Sequence, residues 1–190
     1  MTSTTSRIGS KCPRPSRSRT LTLGTAAFVV AVVDSDFETA IAAFDRSFAL
    51  SSSSALALGF SSIVRAWTGD DAMAVEQAAR AIRLSPFDPL LYLPYVGLAY
   101  AHFAAGRFVE AGRAAGAASQ SNPKFTMPHA LHAAALANLG RAPEGLTEVA
   151  RLRALDPNIT AGTAIRSARF VDPATNAALG DALRRAGLAQ

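Results

Sequence analysis

The segments Gly69-Asp70-Asp71-Ala72-Met73-Ala74, Gly106-Arg107-Phe108-Val109-Glu110-Ala111 and Gly140-Arg141-Ala142-Pro143-Glu144-Gly145 decide the fold. Each opens on a glycine, and a proline stands 17 residues later, at Pro86, Pro123 and Pro157. Successive prolines are 37 and then 34 residues apart. A small residue, Ala74, Ala111 or Gly145, lies 12 residues before its proline, and Leu84 and Leu155 hold the place two residues before theirs. Recurrence at this interval is the signature of a stacked array in which each unit buries its apolar face against the next.

The spacing has a direct physical reading. Glycine ends one helix because it reaches the left-handed region without a Cβ clash. The small residue in the next helix lets the pair pack closely and antiparallel. Proline then stops the second helix and opens the next unit. In Ser85-Pro86-Phe87-Asp88-Pro89, Asp88 reads as an N-cap and Pro89 as a first helical residue. Asp70 or Asp71 is expected to cap after Gly69, and Pro143 suits the first turn after Gly140.

This grammar resembles the tetratricopeptide (TPR) repeat, in which Trp-x2-Leu-Gly-x2-Tyr, Ala-x3-Phe and Pro recur with a 34-residue period. Tyr95, Leu98, Ala99 and His102 occupy the first-helix consensus places of the middle unit, with Phe108 and Ala111 in its second half. In the last unit the first-helix places hold His129, His132, Ala133 and Leu136. An earlier, degenerate unit places Phe37, Ala40, Ile41 and Phe44 on its second helix, with Ser52 in place of the terminal proline. The middle unit carries three extra residues, read as a longer turn after Phe87-Asp88-Pro89, and Gly112, Gly116 and Ser119 weaken its second helix. The resemblance implies an all-α fold: a TPR-type right-handed helical solenoid of antiparallel helix pairs with a C-terminal capping helix. The expected organisation is a disordered basic tail over 1–20, repeats over 21–160 (21–54 degenerate, 55–88, 89–125 and 126–160), and a turn and capping helix over 161–190. In the last stretch Phe170-Val171-Asp172-Pro173 reads as a turn and N-cap before a helix from Ala174 to Ala186, closed by Gly187.

Three segments are also similar to the TPR tail of bacterial class III adenylate/guanylate cyclase-like proteins: Arg83 to Pro89, His102-Phe103 with Ala105-Gly106-Arg107, and Leu183 to Leu188. That resemblance implies a regulatory tail that follows a catalytic domain. The cyclase-type metal-binding aspartates belong to that domain, and none is transferred here.

Composition narrows the function. The chain has 190 residues, is 49% hydrophobic and carries a net charge of +5. Arg7, Lys11, Arg14, Arg17 and Arg19 supply the whole excess, so residues 21–190 are formally neutral. A duplex-binding face needs clustered cations to displace counterions, so nucleic-acid binding by the folded part is not expected. Cys12 is the single cysteine, which excludes an intrachain disulfide and a thiolate zinc site. Residues 21–33 are apolar but shorter than a stable membrane span, which needs about 20 residues. They read as the first, buried helix of the domain. A signal or anchor built from residues 7–33, or a misplaced start, stays open beside that reading. The expected location is cytoplasmic, with export or membrane association through 7–33 as the alternative.

Few constellations in the sequence could carry chemistry. His129 and His132 are one helical step apart and could approach a metal together, but the pattern offers no third ligand. His102 takes a packing place, Asp70-Asp71 a capping one, and Ser51 to Ser54 lack a nucleophile elbow. No catalytic residue, metal or cofactor is assigned, and no enzyme activity is expected.

The positive expectation is a concave groove lined by first helices. The resemblance places Leu56, Ile63 and Trp67 there from one unit, Leu93, Val96, Tyr100 and Phe103 from the next, and Met127 and Asn138 from the last. These are apolar and aromatic anchors. The Lys/Asn carboxylate clamp of some TPR proteins is absent, its places being held by Val96, Tyr100, Ala130 and Ala134. The expected partner is a protein or peptide, a second copy of the chain and a cyclase-like protein included. The opposing reading is that these residues only cover one another or an upstream domain.

Overall fold

The computed structural model describes residues 17–189, which form ten α-helices and no strand. In order these are α1 (Arg17–Val33), α2 (Phe37–Leu50), α3 (Ala55–Trp67), α4 (Asp71–Leu84), α5 (Tyr92–Ala104), α6 (Phe108–Ser121), α7 (Thr126–Asn138), α8 (Ala142–Leu155), α9 (Ala161–Ala168) and α10 (Pro173–Arg185). Most of the basic tail lies outside the described residues, and so does Cys12. Residues 17–20, read above as the end of the tail, are instead the first turn of α1. No helix among the described residues is long and apolar enough to cross a membrane.

Consecutive helices pair as α1/α2, α3/α4, α5/α6 and α7/α8, and the first helices also stack on one another, α1 on α3, α3 on α5 and α5 on α7. The result is an all-α, TPR-type helical solenoid. The hairpin turns share one construction. At Gly106 the backbone is left-handed (φ 71°), and the Arg107 N–H closes a 2.8 Å bond to the His102 carbonyl. This six-to-one bond satisfies a carbonyl that the helix end would leave orphaned, and a Cβ there would cost about 1 kcal/mol. Gly69 and Gly140 repeat the arrangement, with Asp70 N–H to Arg65 O and Arg141 N–H to Leu136 O, each 2.9 Å.

The small residues serve as spacers. Ala74 and Ala111 are fully buried, and a Cβ on Gly145 would meet the Ala133 carbonyl and Ala186 at 3.4 Å. Closer still is the stacking of first helices. A Cβ on Gly97 of α5 would lie 2.1 Å from Ser62 Oγ and 3.2 Å from the Ser62 backbone carbon on α3. A Cβ on Gly24 of α1 would lie 2.7 Å from Ala57 Cβ. The apolar run 21–33 therefore packs as a first helix, with Ala27 and Ala31 buried.

Several local expectations are corrected. Asp70 stands at the N-cap of α4 but makes no side-chain cap bond; its carboxylate instead meets the buried Arg65, which also holds Asp45 of α2. The buried Arg65 guanidinium, held between the two carboxylates, outweighs the cap. Helix α5 starts at Tyr92 rather than Pro89, because Asp88 closes a turn first, accepting the Leu90 N–H at 2.8 Å. The stretch 161–190, expected as a turn and one capping helix, also holds α9, opened by a capping box between Thr160 and Thr163.

That extra helix redirects the chain. Helix α9 ends at Arg169, a non-glycine residue in the left-handed region (φ 59°). Phe170 and Val171 then run back to α3, where the Val171 N–H donates to the Trp67 carbonyl at 2.8 Å. Asp172 caps α10, whose Leu179 and Leu183 are fully buried and which packs on α7 and α9.

Alanine is a better helix former than glycine by about 1 kcal/mol, yet Gly97→Ala is expected to destabilise the protein by about 1–3 kcal/mol, because α3 and α5 must part. Urea unfolding checks this. A midpoint equal to or above that of the parent would show that the two helices do not meet so closely.

Candidate functional site

An open cleft of about 590 Å³ lies between α1, α3, α5 and the start of α7. Ile63 and Trp67 come to it from α3, Leu93, Val96 and Tyr100 from α5, and Met127 from α7. Six of the nine residues expected in a groove therefore line one continuous surface. They do so because the first helices stack in register and present the same face, and each is between 1% and 7% exposed, so the cleft reaches only the edges of these core side chains.

The remaining three lie elsewhere. Leu56 lines a separate cavity of about 10 Å³ with Gly59 and Pro94, too small for more than a water molecule. Phe103 is buried beneath Phe170 and packs edge-on against Phe108. Asn138 is half-buried at the end of α7, donating to the Ala134 carbonyl and accepting from Arg185 of α10 at 2.7 Å.

An aromatic ribbon forms the floor. Phe28 stacks on Phe60 at 4.2 Å, Phe28 and Tyr100 flank Trp67 at 6.1 Å, and Phe170 meets Tyr100 edge-on at 5.3 Å. Each such contact contributes about 0.5–1.5 kcal/mol beyond area burial, so the floor is preorganised. Burial pushes the Tyr100 phenol well above its ordinary range, against the opposing effects of Trp67 and Arg169, and the group stays neutral. Phe28, Phe60 and Phe170 were not among the residues expected from sequence. The first two come from the run whose role sequence left open and from the helix that follows its hairpin, and Phe170 sits in a stretch that reads locally as a turn.

The rim is polar and cationic. Asn122, Lys124 and Thr126 border one side, Ser167 and Arg169 the other, and the Arg169 guanidinium carbon lies 6.0 Å from the Trp67 ring centre. Among the described residues no carboxylate pairs with Lys124 or Arg169. Neither cation stood out in the sequence, since nothing local marks a rim.

The histidine pair of α7 has a partner that sequence did not identify. Antiparallel packing of α8 brings the buried Glu148 carboxylate to His129 Nδ1 at 2.8 Å and His132 Nδ1 at 3.4 Å, with Arg151 donating to it at 2.6 Å. Both histidines aim at the carboxylate rather than at a common point. Among the described residues no three His, Cys, Asp or Glu side chains are placed to hold a metal ion. His129 Nε2 faces the Pro123 carbonyl at 3.1 Å, so both ring nitrogens face acceptors, an arrangement that favours the imidazolium form. The cluster thus ties the loop before α7 to α8. His102 has a different role, its Nδ1 accepting from Arg107 at 2.9 Å, with burial and the Arg107 charge holding its pKa low.

The hydrogen bond to Glu148 raises the His129 pKa, burial opposes it, and the Pro123 carbonyl adds to the rise. For Glu148, burial opposes ionisation, but bonds from His129 and His132 and the charges of His132 and Arg151 outweigh it and hold the carboxyl well below its usual range. A raised histidine pKa contributes stability that is complete below the unfolded value of 6.5 and is lost as pH rises through the folded value. Unfolding free energy is therefore expected to fall from pH 6.5 upward, and His129→Gln is expected to flatten that fall. Urea titrations across this range check it, and an equal slope in parent and variant would contradict it.

No protein-family model and no curated protein matches the sequence. Solved structures do. The chain is similar to MamA MSR-1 C2 (TM-score 0.59, 16% identity, 88% of this chain and 94% of that one). It is similar to YrrB, described as a TPR protein with an unusual peptide-binding site (TM-score 0.56, 20% identity, 86% and 82%). It is also similar to TTC0263, a thermophilic TPR protein of Thermus thermophilus (TM-score 0.61, 16% identity, 89% and 100%). At these identities the likeness is one of fold, and the fold is that of a TPR solenoid.

Proposed function

We propose that this chain is a non-catalytic TPR scaffold that holds a segment of a protein partner in its concave cleft. The observation that carries the reading is the cleft itself. It is about 590 Å³, within the size range of ligand sites, floored by preorganised aromatic rings and bordered by polar groups that can fix an extended backbone. Six of its residues match those a TPR groove would present, and YrrB, of the same fold, is described as having a peptide-binding site. Binding of an extended segment would immobilise little of the scaffold, because Trp67 and Tyr100 are already fixed by their neighbours. The alternative reading, a regulatory tail of a cyclase-like signalling protein, rests on sequence resemblance alone.

Selection of random peptides displayed on phage against the purified chain tests the proposal. Peptides recovered in this way are expected to bind the parent in calorimetry and to lose about tenfold or more in affinity with Phe60→Ser or Tyr92→Ser, whose side chains are partly exposed at the cleft. Circular dichroism confirms that the variants fold. Equal affinity for the parent and both variants would place binding elsewhere and overturn the proposal.

A further inference from the structure

The turn between α4 and α5 presents an apolar knob to solvent. Phe87 is 96% exposed, the most exposed large apolar side chain among the described residues, with Leu84 and Leu90 partly exposed beside it. Folding gains nothing from that ring. The backbone beneath it is nevertheless held in a fixed turn: Asp88 N–H donates to the Ser85 carbonyl, Leu91 N–H to the Asp88 carbonyl, and Asp88 Oδ1 accepts from Leu90 N–H. Pro86 and Pro89 restrict the backbone on either side. The result is an exposed aromatic ring carried on a fixed backbone turn, with a carboxylate next to it.

The cleft is its complement. An aromatic floor at Trp67, Phe60 and Phe28 suits a phenyl ring in stacked or edge-on contact, and Lys124 and Arg169 on the rim stand without carboxylate partners among the described residues. We infer that the cleft takes the Phe87-Asp88 turn of a second copy of this chain, with the ring on the aromatic floor and the Asp88 carboxylate between Lys124 and Arg169. This rests on the cleft being a protein-binding site, as proposed above, and names its occupant.

The geometry of such a contact follows from the two surfaces. Phe87 is not part of the cleft lining, so knob and cleft are different patches and the contact is heterologous. A pair joined in this way keeps one free knob and one free cleft, and association runs head to tail, into a ring or an open chain. One aromatic anchor with a charged flank makes a small interface, so the contact is weak and depends on protein concentration and salt.

Sedimentation of the full chain from about 5 to about 500 μM tests this directly, a range that spans weak to moderate dissociation constants. The average mass of the parent is expected to rise with concentration. Phe87→Ala, which removes an exposed ring, and the pair Lys124→Glu with Arg169→Glu are each expected to weaken association about 30-fold or more. Lys124→Glu alone, at an exposed position, keeps the test valid should the pair perturb the left-handed turn at Arg169. Mixing is decisive. The knobless protein keeps a cleft and the rim-reversed protein keeps a knob, so together they are expected to form a one-to-one complex and nothing larger. A monomeric parent throughout the range, association unchanged in Phe87→Ala, or no complex on mixing would each overturn the inference. If the parent stays monomeric while phage-selected peptides still bind the cleft, self-association alone fails. If neither occurs, the groove reading fails with it.

Discussion

The approach of α5 to α3 at Gly97 and Ser62 sets the spacing on which the rest of the molecule depends. With no Cβ at Gly97, the two first helices lie close enough for Ser62 to fill the space a methyl group would need. Gly24 does the same between α1 and α3. Close helices turn equivalent faces to one side, and the side chains on those faces then form one surface instead of separate ridges. A floor of stacked and edge-on rings follows, since ring pairs with centres about 4.5–7 Å apart need backbones held at a fixed separation.

The C-terminal strap completes this surface from the other direction. Phe170 is only 6% exposed because Tyr100 and Phe103 receive it, and the Val171 N–H is satisfied by the carbonyl at the end of α3. These contacts offset the cost of a left-handed arginine at 169. The same turn sets the Arg169 guanidinium over Trp67, at the edge of the cleft. A capping element that protects the solenoid end therefore also shapes the wall and charge of the candidate site.

Much of the fold was legible because its signals are local. A glycine that must be left-handed and a proline that must stop a helix act within a turn of their own position, and their spacing survives when most other residues differ. The small residues at Ala74, Ala111 and Gly145 were legible for a related reason, as each fills one place in a hairpin. What depends on distant parts of the chain was not legible. Glu148 meets His129 only through the register of α7 on α8, and Asp70 abandons its cap only because Arg65 is buried beside it. Leu56 and Asn138 occupy groove-like places in the pattern, but one faces a tight cavity and the other is claimed by Arg185. Phe170 reads as a turn residue because its role is conferred by a surface many residues upstream. The rim cations have no sequence signal at all.

Trp67 is the single tryptophan of the chain, and it lies on the floor of the cleft, so it reports on the site without any label. The most direct measurement is its fluorescence while the protein is titrated with a phage-selected peptide whose binding is followed in parallel by calorimetry. The account predicts a saturable change in Trp67 emission on the same binding curve that calorimetry gives. Calorimetric binding with no change at Trp67 would contradict it, because the partner would then be held on some surface other than the concave cleft.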